Sequence, residues 1–132
     1  PGRGQIYAAA RGRGFRANGV PVRPPPGPVV SGALVCAEDP QPGMVGRVRE
    51  AHAGIRVLGS AALALTQVAL GHAVATVLES YHEWDVAGAL CLAREAGAVV
   101  LDRDGRPDPN PTGGLLVAMP SVAEETYRLW RG

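Results

Sequence analysis

The chain has 132 residues, 46% apolar (AVILMFWYC), 19% charged and net charge +1, which is one domain's worth of sequence with enough apolar material for a core. It contains no apolar run of about 18 residues, so no membrane helix is expected, and its near-neutral balance excludes a polyelectrolyte. The 18 Gly and 12 Pro are many, but the prolines cluster and leave long periodic segments intact, which excludes a disordered chain.

Aromatic residues are scarce, so Val, Leu and Ala must fill the core. All 13 basic residues are Arg, as the codon bias of a GC-rich bacterial genome would give. The chain opens on Pro1 without a charged-then-apolar leader; a cytoplasmic location without a signal peptide is expected, and the opening reads as a fragment of something longer. Cys36 and Cys91 have neither CxxC spacing nor a His-rich neighbourhood, so two free, small buried hydrophobes are expected rather than a disulfide.

Residues 5–10 (QIYAAA) read as a short strand, and Arg11-Gly12-Arg13-Gly14 as a turn tolerant of positive φ. Phe15-Arg16-Ala17 is a return strand. Asn18-Gly19 is a strong two-residue hairpin signal leading into Val20-Pro21-Val22. PPPGP at 24–28 is a stiff linker. A buried strand is predicted from Val29 to Val35, a loop over 38–43, a short helix over 44–53 and a strand over 55–58. A helix follows over 60–71, with Ala61, Leu65, Val68 and Ala69 on one face. Residues 73–78 read as a strand. A helix over 85–96 carries Val86, Leu90 and Ala93 at helical spacing and stops at Gly97. Strands at 98–101 and 115–118 flank the Asp104-Gly105 turn and a Pro/Asn loop. Ser121-x-x-Glu124 forms a capping-box pattern for a last helix ending near Trp130. This alternation predicts an α/β layered sheet-and-helix domain.

Two places can carry chemistry. Asp85 stands at a predicted helix N-terminus, as a cap or as an ionised carboxylate able to bind a hard cation such as Mg²⁺; the two roles are compatible. Gly59-Ser60-Ala61 occupies a strand-to-helix turn, where Ser60 caps the helix or free N–H groups meet an anion or hydroxyl. His52, His72 and His82 lack metal-ligand spacing, so surface or packing roles are expected rather than zinc. Residues 1–23 carry five Arg and no acid, a local charge of +5 against −4 in the remainder. RGRG beside Phe15 also suits an RNA-binding arm of Arg-Gly type, but the spacing favours a solvated sheet edge and turn.

Taken together, the strand–GSAAL–helix segment, the following strand and acid, Trp84-Asp85-Val86-Ala87-Gly88 and Glu95-Ala96-Gly97-Ala98 resemble the inositol monophosphatase-like family of Mg²⁺-dependent phosphatases. IYAAARGRGFRANGVPV is similar to the hairpin that leads into that family's C-terminal half. The resemblance covers residues 5 to 118, and its WD…EAG part is the specific one. It implies that Asp85 is a metal ligand near the scissile ester, that Gly59, Ser60 and Ala61 face the leaving-group side of the substrate, and that Glu79, with Glu83 as rival, hydrogen-bonds substrate hydroxyls. Trp84, Glu95 and Gly97 would be structural.

The family's first signature, D-P-[IL]-D-G-T, is absent. Asp39-Pro40 continues as Gln41, and Asp108-Pro109 as Asn110-Pro111. The resemblance therefore implies a C-terminal α/β domain over 29–132, preceded over 1–28 by a remnant antiparallel hairpin and Pro-rich linker projecting from it. The implied whole is a phosphomonoesterase with two or three Mg²⁺ ions, acting on a small phosphorylated alcohol or sugar such as inositol 1-phosphate. It would be a homodimer without a nucleic-acid or membrane partner, and this chain alone would be inactive. Histidinol phosphate, a 3′-phosphoadenosine phosphate and a sugar bisphosphate are the rival substrates. A non-catalytic binding or scaffold protein with this fold is the rival of another class.

Overall fold

A computed structural model describes residues 4–132. Residues 1–3, which include Arg3 and the start of the predicted 1–28 unit, lie outside the described residues. The chain begins with a three-stranded antiparallel sheet of β1 (Tyr7–Ala9), β2 (Phe15–Ala17) and β3 (Val20–Pro21), in that spatial order. Asn18 and Gly19 make the β2–β3 turn with φ of 50° and 80°, the positive pair that a two-residue hairpin turn of this type needs. The Asn18 side chain also accepts the Ile6 N–H at 2.8 Å, which ties the turn to the start of β1.

The second sheet has five strands: β4 (Leu34–Ala37), β5 (Gly54–Arg56), β6 (Ala75–Leu78), β7 (Val99–Asp102) and β8 (Leu115–Ala118). Their order is β5-β4-β6-β8-β7, with β4 parallel to β5 and β6, and β8 antiparallel to β6 and β7. The helices are α1 (Pro42–Glu50), α2 (Ala61–Ala69), α3 (Glu83–Glu95) and α4 (Ala123–Arg131). Right-handed crossovers fix their faces. The β4–α1–β5 step runs outward, whereas β5–α2–β6 and β6–α3–β7 run back across the sheet. Hence α2 and α3 lie together on one face, while α1 packs with α4 on the other.

The core is aliphatic, as the composition requires. Leu65, Val68, Leu78, Leu115, Leu116 and Val117 are fully buried. The predicted helix faces are the observed ones: Leu65, Val68 and Ala69 on α2, and Val86, Leu90 and Ala93 on α3, all point inward. Both cysteines are free thiols, and burial raises the pKa of the Cys36 thiol. None of the helices among the described residues is long and apolar enough to cross a membrane.

Several boundaries differ from expectation: the helix predicted over 44–53 runs Pro42–Glu50, and three other differences have local causes. The strand predicted from Val29 begins at Leu34, because the Ala33 N–H bonds back to the Val30 carbonyl and turns the chain through Ser31-Gly32. The strand predicted over 55–58 ends at Arg56, and Val57 leaves the sheet exposed. The capping box at Ser121 does not form. A 3₁₀ turn occupies Pro120–Val122, Val122 precedes α4, and the Ser121 hydroxyl donates to the Pro28 carbonyl at 2.8 Å. The proline at 120 favours the start of that turn one step too early for Ser121 to cap.

The hairpin sheet does not project freely; it lies against α3. Phe15 is buried at 2% exposure. The Glu95 carboxylate, at the end of α3, accepts the Gly12 and Gly14 N–H groups, each at 2.8 Å. These two backbone donors hold the Glu95 pKa below its ordinary value. A lowered carboxylate pKa stabilises the folded state above the ordinary Glu range, and that contribution is lost as pH falls through the lowered value. Acidification is therefore expected to free the 11–14 turn before the five-stranded sheet melts, with Glu95→Gln abolishing the transition. Amide exchange of Gly12 and Gly14 against pH measures it; unchanged protection down to global unfolding would contradict the clip.

Candidate functional site

Parallel strands β4, β5 and β6 end at one edge of the five-stranded sheet, and α2 and α3 start from that same edge. Two helix N-termini, side by side on one face, thus present unpaired backbone N–H groups there. This is where open α/β sheets bind ligands. The candidate residues fall on this edge: Gly59-Ser60-Ala61 enters α2, Glu79 directly follows β6, and Asp85 lies in the first turn of α3.

The Gly59 turn is built locally. Gly59 has φ of +70° with open space where a Cβ would sit, so conformation rather than crowding selects glycine. Ser60 caps α2 by accepting the Leu63 N–H at 3.3 Å. The sequence reading missed Glu38, placed in a loop there. It follows β4, and its carboxylate accepts the Leu58 N–H at 3.0 Å and the Gly59 N–H at 2.8 Å. Its only sequence signal is an acid just after a buried strand. Glu38→Ala is expected to cost about 1 kcal/mol, the net worth of modest hydrogen bonds at a half-exposed site. It should also speed amide exchange at Leu58 and Gly59; unchanged exchange there would refute the role.

Asp85 is not the cap residue of α3. The helix begins two residues earlier, with His82 as its cap and Asp85 third, and Asp85 Oδ2 accepts the His82 N–H at 3.1 Å. An acid at this position reaches back to the cap's N–H, as in a capping box. The charge is still at the positive end of the helix dipole, on an exposed residue whose Oδ1 has no hydrogen-bond partner among the described residues. Trp84, beside it, is 78% exposed and stacks on His82 with ring centroids 4.5 Å apart. It is a surface residue of this chain rather than a packing one, because only the α3 face bearing Val86, Ala89 and Leu90 meets the core.

Glu79 is engaged elsewhere. Its Oε2 accepts from Arg103 Nη2 at 2.9 Å, and its Oε1 from the Trp130 indole N–H at 2.6 Å. Arg103 also donates to the Glu79 and Gly113 carbonyls. Glu79 therefore joins the ends of β6 and β7 to α4. Glu83, the rival, is the exposed first residue of α3 and lines a cavity of about 250 Å³ with Val86, Leu90 and Pro111. Next to it the Tyr81 hydroxyl donates to the Pro111 carbonyl, and burial, then Asp108 and Glu83, push its pKa up to about 12.

Among the described residues, no three His, Cys, Asp or Glu side chains come together to hold a metal ion. Asp85 offers one open carboxylate oxygen, whereas Mg²⁺ demands a nearly octahedral set of oxygens. The donor set of this chain alone does not fit a magnesium centre.

The comparisons with known proteins agree with the architecture. The family model described as the inositol monophosphatase family matches residues 1–130. Human inositol monophosphatase 2 is 38% identical over 114 residues, covering 78% of this chain and 40% of that protein. Nus factor SuhB of Escherichia coli (strain K12) is 29% identical over 133 aligned positions, covering 94% of this chain and 50% of that protein. The chain thus spans half or less of the length of these curated relatives. Among solved structures, inositol monophosphatase from Anabaena (Nostoc) sp. PCC 7120 superposes with a TM-score of 0.85 at 25% identity, over 95% of this chain and 53% of that one. The extragenic suppressor protein suhB from Bartonella henselae superposes with a TM-score of 0.89 at 24% identity, over 98% and 55%. With the family matched across nearly every residue and the fold shared with its solved members, the chain belongs to the inositol monophosphatase family.

Proposed function

We propose that this chain is the C-terminal half of a magnesium-dependent phosphomonoesterase acting on a small phosphorylated alcohol or sugar of the inositol 1-phosphate kind. The observation that carries this reading is the meeting of the α2 and α3 N-termini at one sheet edge, with the Asp85 carboxylate in the first turn of α3. Paired helix N-termini suit a phosphate ester, since N–H groups and dipoles favour its charge. Asp85 supplies one carboxylate to a magnesium site completed by carboxylates outside this chain. That division accords with the lack of any group of three candidate ligands among the described residues and with coverage of half or less of the curated relatives.

Gly59, Ser60 and Ala61 face the leaving-group side, and Glu38 holds their turn rigid. Glu79 keeps lone pairs for a substrate hydroxyl while Arg103 and Trp130 fix its direction; Glu83 stands nearer the 106–113 loop. The lack of a complete donor set among the described residues is equally compatible with a second reading, a non-catalytic protein with this fold. Phosphate release by the full-length protein, with inositol 1-phosphate, histidinol phosphate and 3′-phosphoadenosine phosphate compared at equal Mg²⁺, separates the two. Hydrolysis that is fastest on inositol 1-phosphate supports the phosphatase, and no hydrolysis of any of them supports the binding protein.

A further inference from the structure

The arginines of the hairpin are not spent on any partner acid. Arg11, Arg13, Arg16 and Arg23 are all exposed, and none forms an ion pair among the described residues. Folding brings a fifth, Arg94 of α3, to the same place. The 11–14 turn separates two clefts. One, about 520 Å³, is lined by Arg13, Arg16 and Arg23, with prolines of the linker on its far wall. The other, about 420 Å³, is lined by Arg11, Arg94 and Asn110. Glu95 is the single acid lining either cleft, and both its oxygens are occupied by the Gly12 and Gly14 N–H groups.

That clip matters physically. A loop of Arg and Gly would otherwise lose much conformational entropy on capturing a ligand. Here the backbone is already pinned, so Arg11 and Arg13 project to opposite sides of a fixed turn. A compact anion would occupy one cleft. Five guanidinium groups against the one Glu95 carboxylate, distributed over two adjoining clefts, match a ligand that repeats its negative charge along a line. Guanidinium planes bind phosphate by paired N–H groups and also stack on flat rings.

We propose that these two clefts form one binding surface for the phosphodiester backbone of a single-stranded nucleic acid. The surface is carried by the hairpin and by α3 from Ala87 to Glu95, and its one arginine on α3, Arg94, lies at the opposite end of that helix from Asp85. None of its arginines belongs to the residues assigned to the phosphatase site, so variants of the arginines and of Asp85 test the two readings separately.

The test uses the full-length protein and fluorescence anisotropy with a fluorescein-labelled oligouridylate of about 12 nucleotides, within the span that one small domain covers. With roughly four phosphates engaged, raising salt from about 50 to about 200 mM should weaken binding roughly 50-fold. Arg11→Gln/Arg13→Gln/Arg23→Gln should weaken it at least about tenfold and flatten the salt slope. The triple variant should keep its circular dichroism spectrum and its turnover, and Asp85→Asn should bind the oligomer like the wild type. An oligothymidylate of equal length tells whether the 2′-hydroxyl contributes. Absence of binding at low salt, equal affinity in the triple variant, or tripolyphosphate competing as well as the oligomer at equal phosphate would overturn the proposal. So would binding confined to phosphatidylserine vesicles.

Discussion

Asp85→Asn in the full-length protein is expected to lower turnover by about 10²–10³, the usual worth of one preorganised electrostatic contact, about 2.7–4 kcal/mol. Its stability should change by less than about 1 kcal/mol. The Asn side-chain oxygen can still accept the His82 N–H that Asp85 Oδ2 accepts at 3.1 Å, and Asn serves well near helix N-termini. Asp85→Ala removes both charge and acceptor, so it should lose the same activity and about 1 kcal/mol of helix-end stability as well. Ser60→Ala gives the contrast: a cap-sized loss of about 1 kcal/mol with a milder effect on turnover. Turnover against Mg²⁺ concentration, beside a thermal melt of each variant, reads both quantities. Near-normal turnover and Mg²⁺ dependence in Asp85→Asn would reduce Asp85 to a helix-end residue.

Glu79→Ala is expected to destabilise the fold by about 2–3 kcal/mol. The loss combines a charge-assisted bond from Arg103 with a Trp130 indole N–H left without its acceptor. Trp130 is 3% exposed, and an unsatisfied buried donor costs about 1–3 kcal/mol by itself. The Arg103 side chain is 42% exposed, so solvent screens the ionic part and it adds little. Glu79→Gln keeps an acceptor for Trp130 and should lose only about 1 kcal/mol. Urea unfolding separates the two variants. Equal stability of Glu79→Ala and wild type would show that α4 is not anchored through this carboxylate.

Local patterns carried most of the fold. Asn18-Gly19 specified the hairpin turn through its positive φ values, and the spacing of Leu65, Val68 and Ala69 specified the buried face of α2. Gly59-Ser60 was legible because a positive-φ residue followed by a hydroxyl is what a strand-to-helix turn requires. What the sequence hid depends on distant partners. Glu38 touches residues about twenty positions away, and Glu79 meets Arg103 and Trp130 across three elements. The exposure of Trp84 was equally hidden, since which face of α3 meets the core depends on how that helix is oriented in the fold. Resemblance alone implies a structural Glu95; the bonds to Gly12 and Gly14, more than eighty positions away, supply a reason.

In the proposed phosphatase, this chain contributes one carboxylate and two helix N-termini to a site whose remaining acids lie outside it. The direct measurement is Mg²⁺-dependent phosphate release from inositol 1-phosphate by the full-length protein and by the purified 132-residue chain, side by side. Release by the full-length protein, with the chain alone at background at every Mg²⁺ concentration, is the predicted result. Robust hydrolysis by the 132-residue chain alone would contradict it.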